Sequence, residues 1–379
     1  MKQGWEKRNL GEVVEVLDNL RKPITKRDRV EGEYPYYGAT GILSYVHNYI
    51  FSEKLVLIGE DGAKWLSGDN TSFIAEGKYW VNNHAHVIRP IRKLILDEWI
   101  VYFLNFSDLT PFITGMTVPK LNQEKMRSIP IPLPPLPEQQ RIVAILDEAF
   151  TAIAKARANA EQNLKNAKEL FESYLQGVFE NSDWETKTLG EIGDPKMCKR
   201  ILKHQTNTTG EIPFYKIGTF GKIPDAFISK EIYDEYRTKY SFPKKGDILI
   251  SASGTIGRRV RYDGEPAFFQ DSNIVWIDNN EKQVLNDYLY VFYEFCDWQP
   301  SKGATISRLY NSNLTSIKIV FPKSLEEQKT ILKKINAVSA ETKRLEAIYQ
   351  QKINDLEELK KSVLQKAFNG ELKTATAVV

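Results

Sequence analysis

The sequence has little of what disulfide frameworks, zinc sites and membrane anchors require. Its 379 residues include two cysteines, Cys198 and Cys296, and four histidines. Two thiols are too few for a disulfide framework or a zinc ribbon, and they favour a reducing cytoplasm. The longest apolar run, 94–106, contains Asp97 and Glu98 and is too short to span a bilayer. The polar first ten residues predict no signal segment, so neither secretion nor membrane association is expected.

Nucleotide-binding and hydrolytic motifs are also missing. The sequence contains no G-x-x-x-x-G-K-[ST] loop, no G-x-G-x-x-G after a strand, no H-E-x-x-H and no G-x-S-x-G. His84 and His86 would share one face of a strand, but without nearby cysteines or paired carboxylates we favour packing or base contact over a metal. We therefore predict no catalytic residue, bound cofactor or metal. The net charge of +3 means that any nucleic-acid-binding surface must be local.

What the chain does contain is one pattern written twice. Residues 10–12 recur as 189–191, displaced by 179 positions, and residues 115–121 recur as 303–309, displaced by 188. Phe179 then matches Phe368, displaced by 189. A drift of about ten positions over half the chain indicates a duplicated unit with different loops, not a short solenoid repeat. Two similar but unequal units predict a pseudo-two-fold molecule that can read a target with two different halves.

Each half divides in the same way. A mixed region contains apolar runs typical of strands, such as 55–58 and 247–250, each followed by a glycine-bearing turn. A proline-marked joint and a long helix follow. The predicted fold is α+β, with two mixed α/β domains joined by two long antiparallel helices. The predicted bounds are 1–135 and 181–322 for the domains, 136–180 and 323–372 for the helices, and 373–379 for a tail.

The long helices carry apolar or small residues at a seven-residue period. The series in the first helix are Ile142, Ala149, Ala156, Asn163, Leu170 and Leu146, Ile153, Ala160, Ala167, Tyr174. Those in the second are Ile331, Val338, Leu345, Lys352, Leu359 and Ile335, Thr342, Tyr349, Leu356, Val363. Such a sustained heptad predicts a coiled coil. Two ordinary amphipathic helices on separate domain cores are the alternative.

The first helix is rich in alanine and the second in bulky residues, so we hypothesise antiparallel pairing of small against large side chains. The predicted pairs are Ala149 with Leu356, Ala156 with Tyr349, Ala160 with Leu345, Ala167 with Val338, and Asn163 with Thr342 as a polar layer. Helices of this length span roughly 60 Å. Since one DNA turn is about 34–36 Å, domains at their ends could reach two major-groove segments one or two turns apart.

Polar loops follow the predicted strands in both halves. Arginine, asparagine, glutamine and acidic side chains pair with base edges, and glycine turns allow close approach to phosphate. The loop residues that we predict to contact DNA are Lys64, Asn82, Asn83 and His84 in the first half, and Ser253, Thr255, Arg258, Arg259, Arg261, Gln270, Asp271 and Asn273 in the second. A hairpin turn beside a solvated charged face is the alternative for each.

A hydroxyl and a basic residue also precede the last predicted strand of each half. They are Thr117 with Lys120, and Thr305 with Arg308. Because the pair is present in both halves, it predicts a shared contact with phosphate. An ordinary strand entry is the alternative.

These residues together resemble the specificity subunit of type I restriction-modification systems. The resemblance covers the chain to about residue 372. Its most specific part is the proline joint with the start of the helix, 131–142, which recurs as 325–329. Weaker matches are the loop sequences 37–41, 57–62, 81–86 and 254–257.

The resemblance implies a non-catalytic, cytoplasmic DNA-binding subunit in host defence. Each domain would read one half of a bipartite double-stranded DNA target, and the helices would fix the spacer and dock two modification subunits. Those subunits would carry the S-adenosylmethionine-dependent methyltransferase chemistry. Restriction subunits would use ATP and Mg²⁺ for translocation and cleavage. All these cofactors are expected on the partners.

Two other classes of function remain open from the residues alone. A duplicated coiled-coil scaffold that binds protein or glycan would show no salt-dependent binding to duplex DNA. A self-contained nuclease with a dispersed active site would cleave DNA on its own with a metal. The heptads and paired polar loops favour DNA recognition over the scaffold, and the missing motifs count against the nuclease.

Overall fold

A computed structural model describes residues 4–115, 117–181, 183–298 and 308–372. The chain divides into two compact units. Unit 1 comprises residues 1–163 and 348–379, and unit 2 comprises residues 164–347. Each unit therefore contains a part of both long helices. Among the described helices, none is long and apolar enough to cross a membrane.

Unit 1 is built from short strands and helices in the order predicted for an α+β domain. Its elements are β1 (Glu6–Asn9), α1 (Leu10–Val13), β2 (Val14–Val16), β3 (Tyr34–Gly38), β4 (Gly41–Val46), β5 (Leu55–Gly59), β6 (Ser72–Ala75), β7 (Trp80–Val81), β8 (Ala85–Pro90), α2 (Asp97–Phe106), α3 (Gln123–Arg127), β9 (Pro130–Leu133) and the first part of α4 (Leu136–Phe179).

Unit 2 repeats this order with one additional helix, α6. Its elements are the rest of α4, β10 (Glu185–Thr188), α5 (Leu189–Ile192), β11 (Gly193–Lys196), β12 (Ile212–Tyr215), β13 (Phe227–Ile228), α6 (Lys230–Lys239), β14 (Ile248–Ser251), β15 (Arg259–Arg261), β16 (Phe268–Phe269), β17 (Ile274–Asn279), α7 (Asn286–Phe295), α8 (Asn311–Ser316), β18 (Lys318–Phe321) and the first part of α9 (Leu325–Asn369). The end of α9 belongs to unit 1.

The sheets have the same topology in both units. Unit 1 has an antiparallel sheet β2-β8-β5-β6, a mixed sheet β4-β3-β7 and a ribbon β1-β9. Unit 2 has β11-β17-β14-β15, β13-β12-β16 and β10-β18. The predicted duplication and the α+β class are thus confirmed in three dimensions.

The central strand of each unit is buried on both faces, which explains its continuous apolar sequence. In β5, Leu55 and Leu57 pack into one cluster with Tyr79, while Val56 and Ile58 pack into the other. This follows from the two-residue period of a strand. Each of these four side chains is fully buried, and each contributes about 1.5–3 kcal/mol.

Aromatic side chains fix the end of each long helix. Phe368 of α9 lies in the core of unit 1, with its ring centroid 5.0 Å from that of Trp99, whose Nε1–H donates to the Pro132 carbonyl at 2.8 Å. In unit 2, Phe179 of α4 lies 5.2 Å from Tyr288. The sequence match of Phe179 with Phe368 therefore marks two equivalent packing positions.

A buried glutamine fixes the beginning of each long helix. Gln139 is fully buried; its Oε1 accepts from Leu96 N–H at 3.0 Å, and its Nε2 donates to the Leu94 and Pro134 carbonyls at 2.9 and 2.8 Å. These three bonds use most of what an amide can make. They attach the start of α4 to the segment that leads into α2.

Gln328 makes the same three bonds in unit 2. It accepts from Leu285 N–H at 2.9 Å and donates to Gln283 and Pro322 carbonyls at 2.7 and 2.9 Å. The displacement of 188 positions that relates residues 115–121 to 303–309 aligns Gln140 with Gln328. That alignment is wrong by one residue, because the second joint has one more residue between its proline and its helix than the first has.

Four of the predicted core-facing positions in the long helices are wrong. Asn163, Leu170, Lys352 and Leu359 are exposed, the two leucines by 69% and 47%. The more buried positions are Leu164, Phe171, Leu175, Ile353 and Leu364. Burial thus recurs near the 3.6-residue period of an α-helix and drifts from a strict heptad along this length. Asn163 belongs to unit 1 and Thr342 to unit 2, so their pairing as a polar layer stays a prediction.

The helix segments within unit 1 are antiparallel, but their register differs from the prediction. The predicted pairs, Ala149 with Leu356 and Ala156 with Tyr349, would set Phe150 opposite Asp355. Instead, Lys360 Nζ lies 5.4 Å from the Phe150 ring, and Arg157 Nη1 lies 2.6 Å from Glu357 Oε1. These contacts place the register more than one helical turn away from the predicted one. In unit 2, Ala167 is buried and Val338 half-buried, and their pairing stays a prediction.

Replacing Gln139 by alanine is expected to lower the free energy of unfolding of unit 1 by about 3 kcal/mol, because one buried N–H and two carbonyls lose their partner. Urea denaturation followed by tryptophan fluorescence would measure the change. Gln140→Ala is the matched control, since Gln140 is exposed, and its effect should stay within about 0.5 kcal/mol. Equal effects of the two variants would contradict the role of Gln139.

Candidate nucleic-acid interface

Three loops that the sequence analysis singled out separately come together in unit 1. They are the turn after β5, the loop before β8 and the segment before α3. Glu60 N–H donates to the His84 carbonyl at 2.9 Å, and Leu121 N–H donates to the Glu60 carbonyl at 2.8 Å. The Lys120 backbone also pairs with that of Asp61. Lys120 and His84 therefore lie at one end of the main sheet.

Unit 2 builds the same frame from different residues. Ala252 N–H donates to the Asn273 carbonyl at 2.7 Å, and Leu309 N–H donates to the Ala252 carbonyl at 2.9 Å. Ser253 pairs with Arg308 as Asp61 pairs with Lys120. The turn has a glycine at positive φ in both units, Gly62 at 71° and Gly254 at 66°, where a side chain would be strained.

A network of buried charges supports the site in unit 1. His86 Nδ1 lies 2.6 Å from Asp18 Oδ2, and its Nε2 lies 2.7 Å from the Leu121 carbonyl oxygen. Arg21 forms an ion pair with Glu60, whose other oxygen lies 2.8 Å from Lys120 Nζ. Both ring nitrogens of His86 thus face oxygen atoms, one of a carboxylate and one of a backbone carbonyl.

The environment of Asp18 stabilises its ionised form. Burial alone would raise the pKa of Asp18, but the hydrogen bond and charge of His86, together with bonds from Val87 N–H and Gln123, lower this pKa below its ordinary value. The pKa of Glu60 is lowered in the same way: burial opposes ionisation, and Lys120 and Arg21 favour it. Both carboxylates are therefore ionised at neutral pH.

The same cluster contains the residue types of a metal site, but cationic side chains already occupy one of its carboxylates. Ligand atoms of Asp18, Glu60 and His86 lie within 4.8 Å of one another. The Glu60 oxygens already bind two cationic side chains, Arg21 and Lys120. The prediction that His84 and His86 share one face of a strand is also wrong. Only His86 lies in β8, whereas His84 lies in the preceding loop beside Asp61.

In unit 2 the corresponding loops border a cleft of about 440 Å³. Arg308 Nη2 donates to Asn273 Oδ1 at 3.3 Å, and Ser253 Oγ donates to the same oxygen at 2.6 Å. Gln270 Oε1 accepts from Ile217 N–H at 2.9 Å. The lining residues are Arg200, Ile201, Lys203, Thr206, Phe214, Lys216, Gln270, Asp271, Ser272, Asn273 and Arg308.

The predicted arginine cluster of unit 2 is divided among other contacts. Arg259 pairs with Glu294 at 2.6 Å and stacks 4.5 Å over the Tyr290 ring, and Arg261 pairs with Asp287. All three partners belong to α7, so these arginines hold β15 against that helix. Arg258 donates to the Phe220 carbonyl at 3.0 Å and is half-buried.

The other predicted residues differ in exposure. Asn82 is buried and its Oδ1 accepts from His84 N–H at 2.8 Å, so it shapes the loop. Thr305 lies outside the described residues. The predicted residues that are exposed to solvent are Lys64, Asn83, His84, Thr117, Thr255 and Arg261.

Sequence reasoning missed the charged residues just after the second strand of each unit. Arg21 lies in the buried network, and Arg200 lines the cleft. Their separation of 179 positions equals that of the first repeated motif, and this is the signal that could have found them.

Two copies of one α+β unit, each with polar loops at one end of its main sheet, define a duplicated recognition protein. Residues 2–163 and 181–358 match the family described as "Type I restriction modification DNA specificity domain". The chain belongs to this family. It is a DNA-recognition subunit, and in this family catalysis lies in other subunits.

Named relatives agree with this assignment. The chain is 48% identical over 330 residues to a Haemophilus influenzae protein named "Putative type I restriction enzyme specificity subunit S.HindORF215P", covering 85% of this chain and 84% of that protein. It is 25% identical to the type I restriction enzyme MjaVIII specificity subunit of Methanocaldococcus jannaschii, covering 98% and 93%.

Two solved structures share the fold. One is a chain from a study of complex assembly and conformational transition of the type I R-M system, with a TM-score of 0.70 and 20% identity over 98% of this chain and 99% of that one. The other is the HsdS subunit from Thermoanaerobacter tengcongensis, with a TM-score of 0.62 and 20% identity over 98% of both chains.

Asp18→Asn tests the buried network through pH. Because the folded pKa of Asp18 is depressed, its contribution to stability is present above the unfolded pKa of about 4 and is lost as the pH falls through the folded pKa. The variant should be less stable at pH 7 by about 3 kcal/mol, since the largely buried Arg21 loses a carboxylate partner.

The difference between wild type and Asp18→Asn should shrink as the pH is lowered from 5 towards 2, measured by urea unfolding at each pH. Glu148→Gln, at an exposed helix position, controls for loss of any carboxylate. A difference that stays constant across this range would contradict the depressed pKa.

Proposed function

We propose that each unit reads one half of a bipartite, asymmetric duplex DNA sequence through its converging loops. The long helices fix the unspecified spacer between the halves and dock two modification subunits. S-adenosylmethionine-dependent methyl transfer belongs to those subunits, and ATP- and Mg²⁺-dependent translocation and cleavage to restriction subunits. The place of action is the cytoplasm, where the DNA target lies.

The observation that carries this proposal is the repetition of one backbone frame with different side chains. His84 in unit 1 corresponds to Asn273 in unit 2, Asp61 to Ser253, and Lys120 to Arg308, judged by their backbone hydrogen bonds. Imidazole, amide, carboxylate and hydroxyl groups, as in the first two of these pairs, differ in the donors and acceptors that they offer to base edges. Equal frames with unequal side chains suit two half-sites of different sequence.

The division of each long helix between the two units supports a spacer role. Residues 136–163 of α4 belong to unit 1 and residues 164–179 to unit 2, and α9 is divided in the reverse order. A helix is a stiff connection with a rise of about 1.5 Å per residue. A change in helix length should therefore change the spacer and leave both half-sites intact.

A methylation map of cells that express this chain with its candidate modification subunit tests the function. We expect a methylated two-part motif with a fixed unspecified gap that disappears when this chain is deleted. An active modification subunit that yields no such motif with this chain would favour the protein- or glycan-binding scaffold.

Two variants assign the halves of that motif. Asn83→Ala in unit 1 and Thr255→Ala in unit 2 truncate exposed loop residues at little cost in stability. Each should relax one half only, because losing a base contact costs about 1–3 kcal/mol of discrimination.

The matched control for both is Asn354→Ala, at an exposed position of α9, which should leave the motif unchanged. If each loop variant relaxed both halves equally, the assignment of one half to each unit would be wrong.

A further inference from the structure

Two cationic positions are structurally equivalent in the two units. Val14 of β2 pairs with Pro90, and Gly193 of β11 pairs with Asn279, at the same place in the two main sheets. Arg21 lies seven residues after Val14, and Arg200 lies seven residues after Gly193. Lys120 and Arg308 are equivalent through their backbone pairing with the turn after the central strand.

In unit 1 both cations are held by buried carboxylates. Arg21 pairs with Glu60 and lies 3.4 Å from Asp18 Oδ2, and its side chain is only 13% exposed. Lys120 Nζ lies 2.8 Å from Glu60. The positive charge of this pair is therefore neutralised within the protein, and Arg21 is largely shielded from solvent.

Unit 2 has apolar residues where unit 1 has that ionic network. The same strand alignments set Met197 in place of Asp18, Ala252 in place of Glu60 and Val275 in place of His86. All three belong to or pack against the hydrophobic core of unit 2. Packed apolar residues can replace a buried ionic network without loss of stability, and the change leaves the two cations without their inner carboxylates.

In unit 2, Arg200 faces solvent and Arg308 is half-buried. Arg200 is 67% exposed and has one carboxylate partner, Asp271, at 2.8 Å. Arg308 bonds the Asn273 amide oxygen, and among the described residues no carboxylate lies within ion-pair distance of it. The residues outside the described ranges contain no Asp or Glu in the sequence.

The cleft around them is positive in balance. Arg200, Arg308, Lys203 and Lys216 line it, and the carboxylates that pair with these residues are Asp271 and, at 2.8 Å from Lys216, Asp225. Guanidinium groups bind phosphate oxygens through two parallel N–H bonds, which gives both charge and geometry.

We propose that the cleft of unit 2 binds the phosphodiester backbone through Arg200 and Arg308, whereas Arg21 and Lys120 of unit 1 are withheld from phosphate. This inference rests on the proposed DNA-reading function and adds that the two units contribute unequally to the binding of DNA. Unit 2 supplies the sequence-independent electrostatic anchor, and unit 1 contributes mainly through its exposed loop side chains.

Salt dependence of binding measures the anchor directly. The full-length chain is titrated with a mixed-sequence DNA duplex at several salt concentrations, since phosphate contacts need no particular sequence. Arg200→Ala and Arg308→Ala should each reduce the slope of log K against log salt by about 0.9. Arg200→Lys and Arg308→Lys keep the charge and should keep the slope. Lys323→Ala removes an exposed cation that does not line the cleft and serves as the matched control.

The converse variant is Glu60→Gln in unit 1. It keeps the shape and an accepting oxygen while it removes the charge that neutralises Arg21 and Lys120. The slope should become steeper by up to about 0.9, after urea unfolding has shown that the variant is folded. An unchanged slope in a folded variant would overturn the claim that Glu60 withholds these cations.

The outcomes separate the inference from the function on which it rests. Wild-type binding with a salt-dependent slope that Arg200→Ala and Arg308→Ala leave unchanged would overturn the anchor alone. An unchanged slope with an altered methylated half-site would assign these arginines to base reading and would also overturn it. No binding of the wild-type chain to duplex DNA would overturn both proposals.

Discussion

Two buried amide groups, those of Gln139 and Gln328, determine where the long helices start, and most of the molecule depends on that placement. Each amide joins three backbone groups from the preceding proline and from the segment before α2 or α7. The first turn of the helix is thereby attached to the core that contains the main sheet. The proline joint limits the backbone before it. A recognition surface at the other end of the sheet keeps its orientation to the helix only if this attachment is rigid.

The two units show how one backbone can carry opposite electrostatics. Unit 1 stabilises its loops with Asp18, Glu60 and His86, and the His86 ring lies beside both carboxylates. Unit 2 reaches the same frame with an alanine, a valine and a methionine packed in its core. The loops above depend on backbone hydrogen bonds that both versions preserve. The support beneath a loop has therefore diverged without a change in the loop's position, and the charge offered to a ligand has changed with it.

The sequence was sufficient for features that are local or repeated. The duplication, the strands at 55–58 and 247–250, and the two long helices follow from periodicity and from matched motifs. The meeting of Lys120 with Asp61 was not predicted, because the two residues lie in separate loops and nothing in the local sequence indicates that these loops pair. The ionic network was not predicted, because Asp18 and Lys120 are far apart in the chain and only the fold brings them together through Glu60. The contacts of Arg259 and Arg261 with α7 were not predicted either, because local sequence does not reveal which helix a strand packs against.

The division of the chain into units also sets an order of folding. Unit 2 is a continuous segment, 164–347, whereas unit 1 needs residues 348–379 as well. During synthesis, the core around Trp99 cannot be completed until Phe368 has been made. At about 5–20 residues per second, this delay is roughly 10–50 s. The amino-terminal unit is thus completed last, the reverse of the usual order in multidomain chains. Until then the rings of Trp99, Phe103 and Phe106 lack the Phe368 ring that packs against them, so the newly made first half presents apolar surface that other chains can bind.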